Sequence, residues 1–301
     1  MSQPTFERLG VIGLGLVGGS VALGAQKRGL ATEIRGVDPG LEKAAGIRLD
    51  TLKRVAAWAD AIVLSVPLQA LEGVMGALAP HLGAETVLTD TGSVKGPVAA
   101  AAHQLLPDPG RMVGAHPMAG GDASGFAHAD ADLFQGAACI LALAGNEPPE
   151  VVDRIEQFWQ GLGTFTVHLS PEAHDATVAV LSHAPHAIAY AFCQGLPEAL
   201  SAALSSRAGG NTPADAESSA EALREGLQLA GAGLRDFTRI ARANPNLWCE
   251  ILLRNRGQLA EELQRFQRNF QKLHEALVQG DRQSLEAALA VGQSAVKKLD
   301  R

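Results

Sequence analysis

The chain has 301 residues, room for two domains at roughly 100–200 residues each. Hydrophobic residues make up 47% and charged residues 19%, which excludes a disordered tail or a coiled coil. The formal charge of −7 excludes the basic footprint of a nucleic-acid partner and the polybasic patch of a membrane-surface protein, yet leaves room for a small anionic substrate in a locally basic cleft.

Arg8 precedes an apolar run, 9–25, that resembles a signal peptide, but its six glycines are spaced as a nucleotide loop and it reads as a buried strand, turn and helix. No other stretch is expected to approach a membrane span. Candidate strands follow at 9–12, 34–37, 61–65, 86–89, 112–115, 139–142 and 164–167, several of them continuous apolar runs, as in parallel strands covered on both faces. Helical segments such as 69–79 and 150–162 lie between them. The alternation predicts an α/β fold with a Rossmann-type doubly wound parallel sheet.

Beyond His168 the pattern changes. Ser170-Pro171-Glu172 reads as an N-cap, a proline at the first helical position and an acidic first turn. No strand is expected from there to Arg301. Leu252, Leu259, Leu263, Phe266, Phe270, Leu273 and Leu277 recur at helical spacing. The expected domains are 1–169, dinucleotide-binding, and 170–301, all helical. Residues 205–219, rich in Ser, Ala, Gly, Asn and Pro, read as an exposed loop. The three cysteines, Cys139, Cys193 and Cys249, are far apart and form no CxxC, so they read as small apolar residues in a reducing cytoplasm, with no disulfide framework and no zinc site.

Gly13-Leu14-Gly15-Leu16-Val17-Gly18 follows a predicted strand and opens a predicted helix. In that context GxGxxG is a strong dinucleotide signal. Gly13 permits the turn, Gly15 lets the backbone approach a pyrophosphate, and Gly18 lets the helix pack close to the strand. The helix N-terminus supplies free N–H groups to the phosphates. Asp38 ends the second strand twenty residues beyond Gly18. There a carboxylate either binds the adenosine ribose, favouring NAD over NADP, or caps a turn. Ser65-Val66-Pro67 either lines the cofactor or starts the next helix.

Three further segments carry the chemistry. His116 follows a strand among glycines and a proline. A neutral imidazole there suits the base that an alcohol oxidation needs, although a structural histidine closing a turn fits the same position. Ser93 either hydrogen-bonds a substrate hydroxyl or caps a helix. His183 and His186, three apart, share a helical face and suit anion binding or a proton relay, or the core; a metal lacks a third ligand. Arg235 and Arg239 share a face and can bind a carboxylate through a guanidinium fork, or simply be solvated.

Together GLGLVGGS (13–20), TDTGSVKG (89–96), GAHPMAGGDASG (114–125), LFQG (133–136), HDATVAVLSHAPH (174–186) and GLRDFTRIA (233–241) resemble the prephenate and arogenate dehydrogenase family of tyrosine biosynthesis. The resemblance runs from about residue 9 to Trp248, interrupted at 200–221. It implies a Rossmann domain followed by an all-α domain that forms a homodimer. The implied reaction is NAD-dependent oxidative decarboxylation of prephenate to 4-hydroxyphenylpyruvate, or of arogenate to tyrosine. It further implies that His116 accepts the ring-hydroxyl proton with Ser93 hydrogen-bonded nearby, that His186 binds substrate, that Arg239 holds a carboxylate, and that Trp248 lies near the substrate side chain. Two departures stand out: Gly121-Asp122 replaces a hydroxyl residue and glutamate, which puts any gating or specificity role of Asp122 in doubt, and Arg235 stands where lysine is common. A β-hydroxyacid or imine reductase would leave the GSVK and HPMAG segments unexplained, and a non-catalytic NAD-sensing module would not need Ser93, His116, His186 and Arg239 together.

Overall fold

The protein is represented by a computed structural model that describes residues 4–121, 123–205, 224, 226 and 228–299. Eight strands, β1 (Phe6–Ile12), β2 (Ala31–Val37), β3 (Arg48–Leu49), β4 (Ala61–Leu64), β5 (Val87–Asp90), β6 (Met112–Pro117), β7 (Ala138–Ala142) and β8 (Phe165–Leu169), form one sheet in the order β3-β2-β1-β4-β5-β6-β7-β8. Strands β1 to β6 pair in parallel, so their carboxyl ends share one edge. The order reverses between β1 and β4, which opens a crevice at their carboxyl ends.

Side-chain alternation divides the buried residues between two cores. Leu9, Val11, Ala61 and Val63 face one layer with Val21, Phe134, Phe158 and Trp159, under α1 (Leu16–Arg28) and α5 (Pro149–Gly161). Ile12, Ile62, Leu64 and Leu88 face the other, under α2 (Leu52–Trp58), α3 (Leu68–Leu78) and α4 (Gly96–Leu105). Trp248 and Ile251 of the helical half pack into this second core. Each fully buried Leu, Ile or Val contributes about 1.5–3 kcal/mol, so the short apolar strands carry their own weight.

Two features depart from the sequence reading. The two-residue strand β3 pairs with Arg35 and Gly36 at the sheet edge and is too short to leave an apolar run. Strand β7 is antiparallel to β6, not parallel. A parallel return needs a crossover element. The described residues between β6 and β7 hold only a single 3₁₀ turn (Phe126–His128) and are strapped across α1, where Asp130 N donates to Ser20 Oγ and Arg28 Nη1 to Ala131 O.

At Ser170 the chain leaves the sheet, and the Ser170 hydroxyl accepts from Ala173 N ahead of Pro171. The helical half then comprises α6 (Pro171–Val178), a π turn (Ala179–His183), α7 (Ala184–Ser205), α8 (Ala232–Arg239), a 3₁₀ turn (Ile240–Arg242), α9 (Pro245–Arg254), α10 (Arg256–Gln279) and α11 (Arg282–Leu299). Among the described residues no strand follows Leu169. The run Pro171–Leu204 is long and apolar enough to cross a membrane by length and composition, with mean hydropathy 1.2, a correction to the expectation that no such stretch existed. The cause is Ala- and Leu-rich sequence on both sides of a few polar residues. Helix α7 reaches Ser205, so the expected loop begins no earlier than residue 206, and 206–219 lie outside the described residues.

Candidate active site

Helix α1 starts directly behind the glycine loop, and two glycines are forced there. Gly13 has φ +88, and a Cβ on it would sit 2.2 Å from Ser65 O. A Cβ on Gly18 would sit 1.9 Å from Gly13 O. At Gly15 a Cβ would meet nothing within 4 Å, so this face of the loop is open to a ligand. The α1 N-terminus has neither a side-chain cap nor an acidic residue in its first turn, which leaves its N–H groups and positive partial charge for an anion. Leu16 and Val17, its first two residues, are half-buried. These features fit a dinucleotide pyrophosphate.

Asp38 stands at the end of β2. Its Oδ2 accepts from Leu14 N at 2.8 Å and its Oδ1 from Gly40 N at 2.8 Å, so it caps its own turn and also ties β2 to the glycine loop. Each oxygen keeps accepting capacity for a ribose hydroxyl. Ser65 follows β4 across the switch point; Thr91 Oγ1 donates to its Oγ at 2.9 Å, and Val66 lies beside the Gly13 turn. Pro67 precedes α3 as its N-cap, the second of the two sequence readings of Ser65-Val66-Pro67.

Strand β5 delivers a buried ion pair that sequence reasoning passed over. Lys95, 1% exposed, pairs through Nζ with Asp90 and donates to Ala115 O at 2.7 Å. Asp90 accepts from Ala115 N at 3.0 Å and from Gly92 N at 2.8 Å. The pair therefore clasps both backbone polar groups of Ala115, the residue preceding His116. Burial lowers the Lys95 pKa, and Asp90 works against that. Ser93 lies half-buried in the turn between Asp90 and Lys95.

His116 lies within β6, one residue before its end, rather than beyond the strand as the sequence suggests; it stands at the same edge of the sheet as the glycine loop and is buried. Its Nδ1 lies 2.8 Å from His174 Nε2, and His174 Nδ1 lies 2.7 Å from Asp175 Oδ1. Asp175 also accepts from Lys95 N at 2.7 Å and Gly96 N at 2.8 Å, so the first helix of the helical half is stitched to the start of α4. Burial above all, and then the neighbouring His174, Lys95 and His183, push the His116 pKa well below 6.5. At neutral pH the ring is an uncharged acceptor.

His183 and His186 part company. His183 is buried, its Nδ1 is 3.0 Å from Asn255 Nδ2, and burial lowers its pKa to about 4. Asn255 also donates to Asp175 O at 2.8 Å. His186 stacks on Trp248 with centroids 3.6 Å apart, and its Nδ1 lies 2.8 Å from Ser182 O. Arg235 and Arg239 are exposed on α8, with Arg235 Nε donating to Ala230 O; no described hydrogen bond or ion pair joins either to the His116 cluster. Asp122 lies outside the described residues. A cavity of about 330 Å³ beside Lys95, lined by Ala102, His103, Gly114, Ala142 and Pro171 among others, includes none of the sequence-predicted site residues. The residues missed by sequence reasoning are thus Asp90, Lys95, His174, Asp175 and Asn255. The available signal was the His174-Asp175 dipeptide inside the first turns of a capped helix.

A doubly wound sheet with an open glycine loop at its switch point, an acid at the end of β2 and a neutral histidine near the carboxyl end of β6 defines an NAD-dependent oxidoreductase. Comparison with known proteins agrees. Residues 21–168 match the family described as prephenate dehydrogenase, nucleotide-binding domain, and residues 170–291 the one described as prephenate dehydrogenase, dimerization domain. The chain is 30% identical over 283 residues to the prephenate dehydrogenase of Bacillus subtilis, covering 91% of this chain and 71% of that one. The crystal structure of prephenate dehydrogenase from A. aeolicus in complex with hydroxyphenyl propionate and NAD+ superimposes with TM-score 0.81 at 25% identity, covering 100% of this chain and 99% of that one. Synechocystis arogenate dehydrogenase superimposes with TM-score 0.78 at 26% identity, covering 97% and 99%. The chain belongs to the prephenate dehydrogenase family.

Proposed function

We propose that this enzyme oxidatively decarboxylates prephenate to 4-hydroxyphenylpyruvate, with His116 as the base. The observation that carries the reading is the hydrogen bond from the His116 Nδ1 edge to His174, which leaves Nε2 of a neutral ring to receive the substrate hydroxyl proton. NAD, held along Gly13–Gly18 and Asp38 with Ser65-Val66-Pro67 beside it, supplies the hydride acceptor. Loss of hydride and carbon dioxide from a cyclohexadienol makes an aromatic ring, so the protein needs chiefly to orient the ring, hold its carboxylates and take one proton.

Ser93, in the turn beyond β5, hydrogen-bonds the reacting hydroxyl. The stacked His186–Trp248 pair forms the wall against the substrate side chain. Arg239 holds a carboxylate with Arg235 beside it on α8. His183, buried on Asn255, supports this wall from behind. Asp122, six residues after His116 in the sequence, is kept as a candidate substrate-binding residue. The similarity to an arogenate dehydrogenase supports arogenate as the alternative substrate.

We also propose a homodimer built on the helical half. Phe270, Leu277, Val278, Leu289 and Val291 are 58–73% exposed on α10 and α11, apolar surface that a second copy would take out of water.

The test is absorbance near 340 nm with prephenate or arogenate and NAD or NADP. Production of NADH with prephenate is expected, and a signal with arogenate alone would overturn the substrate assignment. His116→Asn should lower turnover by ~10²–10⁴ with NAD binding kept. Arg239→Ala should chiefly raise KM; an unchanged KM removes Arg239 from the substrate site.

A further inference from the structure

The hydrogen-bond order around His116 determines which of its nitrogens carries the proton. Asp175 receives two backbone donors that can only donate, Lys95 N at 2.7 Å and Gly96 N at 2.8 Å. A carboxylate so placed is an ionised acceptor. The third group on it, His174 Nδ1 at 2.7 Å from Oδ1, must therefore be an N–H donor. The neutral His174 ring then has its lone pair on Nε2, 2.8 Å from His116 Nδ1, so His116 donates there from Nδ1–H. The lone pair of His116 falls on Nε2. His174 and Asp175 come from α6 of the helical half, whereas His116 comes from β6, so the tautomer of the base is set across the two halves of the molecule.

We infer that His174 and Asp175 are positioning residues that fix His116 as the Nδ1–H tautomer and share the proton it accepts. This rests on His116 being the base. The step balances as follows: the substrate hydroxyl proton passes to His116 Nε2, the proton on His116 Nδ1 passes to His174 Nε2, and His174 Nδ1–H stays donated to Asp175. The positive charge ends on His174, next to a carboxylate, and His116 is returned to neutrality in a site that disfavours a charged ring. No electrons move among these groups, and the hydride goes to NAD. The charged and titratable groups facing the relay are Lys95 and Asp90 from the β5–α4 turn, Asp175 from α6, His183 from the π turn with His186 behind it, and Cys139 of β7 beside Lys95.

The assay is the pH profile of kcat/KM at saturating NAD for wild type, His174→Leu, His174→Gln and His116→Asn, with NAD binding and thermal melting as checks on folding. His174→Leu should lower kcat by about 10²–10³-fold, because the tautomer is no longer fixed. His174→Gln, which keeps a carbonyl acceptor for Nδ1–H but takes up no proton, should recover about tenfold of that. In both variants the acid limb should move to lower pH by a unit or more, because the desolvated His116 then holds the accepted proton alone. A ring acting only as a neighbouring positive charge predicts the opposite, a limb moving to higher pH. An unmoved limb with full kcat in both variants would likewise overturn the relay. ¹⁵N-histidine NMR of the wild-type protein offers a readout independent of activity: a protonated Nδ1 and an unprotonated Nε2 at His116 are expected, and the reverse pattern refutes the assignment. If His116→Asn keeps its turnover, the base reading itself fails; if it is inactive while both His174 variants behave as wild type, the base stands and the relay falls.

Discussion

Replacing Lys95 with Met puts the Asp90 clasp on trial. The ammonium is 1% exposed and its carboxylate partner is fully buried. Methionine matches the length of the lysine stem but leaves Asp90 ionised with only Gly92 N and Ala115 N, and strips Ala115 O of its donor. Breaking one side of a buried pair costs about 3–5 kcal/mol, a large share of the ~5–15 kcal/mol that a folded protein holds. At ~2–4 °C per kcal/mol, the midpoint of thermal unfolding should fall by roughly 6–20 °C. Asp90→Asn should do comparable damage by stranding the ammonium. The double variant Asp90→Asn/Lys95→Met buries no charge and leaves one backbone N–H and the Ala115 carbonyl poorly satisfied, a loss of about 1–3 kcal/mol for each. The expected result, by circular dichroism and urea titration, is a double variant more stable than either single one. A Lys95→Met protein within 1 kcal/mol of wild type, or a double variant whose loss equals the two single losses added together, would refute the reasoning.

Gly18→Ala forces helix α1 away from the Gly13 carbonyl and should weaken NAD binding at least about tenfold by calorimetry, with the sheet intact; undiminished affinity removes the loop from the cofactor site. Stability should decline in acid, because His116 and His183 both have folded pKa values below the unfolded ~6.5, His183 at about 4. Above pH ~6.5 neither state binds these protons; below it the unfolded chain takes up protons that the folded one excludes. Stability is then lost at up to ~2.7 kcal/mol per pH unit toward pH 4, and His183→Asn should roughly halve the histidine share of that slope in urea midpoints at pH 7, 6 and 5. A flat wild-type profile contradicts the neutral buried rings. Phe270→Asp with Leu277→Asp should yield a monomer in sedimentation velocity; a persisting dimer places the interface elsewhere.

Local chemistry carried most of what could be read without coordinates. Apolar runs such as 61–65 announced covered strands, GxGxxG announced the turn behind β1, and Ser170-Pro171 announced α6, because each signal is spelled by neighbours in the chain. His116 was legible for the same reason, although it lies inside β6 opposite Ile140 rather than on a loop beyond the strand. Strand β7 was legible as a strand but not in its direction, which depends on the strap across α1 rather than on the strand's own residues. His174, Asp175 and Asn255 appeared as ordinary helical residues, since their partners lie 58, 80 and 72 positions away. A hydrogen bond across such distances leaves no periodic trace.

The sequence by itself thus determined the class of fold, the nucleotide loop and the candidate for the base, all written in short-range pattern. Only the tertiary structure decided how that base is held and which of its nitrogens is free. That outcome depends on a buried carboxylate accepting backbone donors from one half of the protein while orienting imidazoles from both, an arrangement that exists once the halves are packed together.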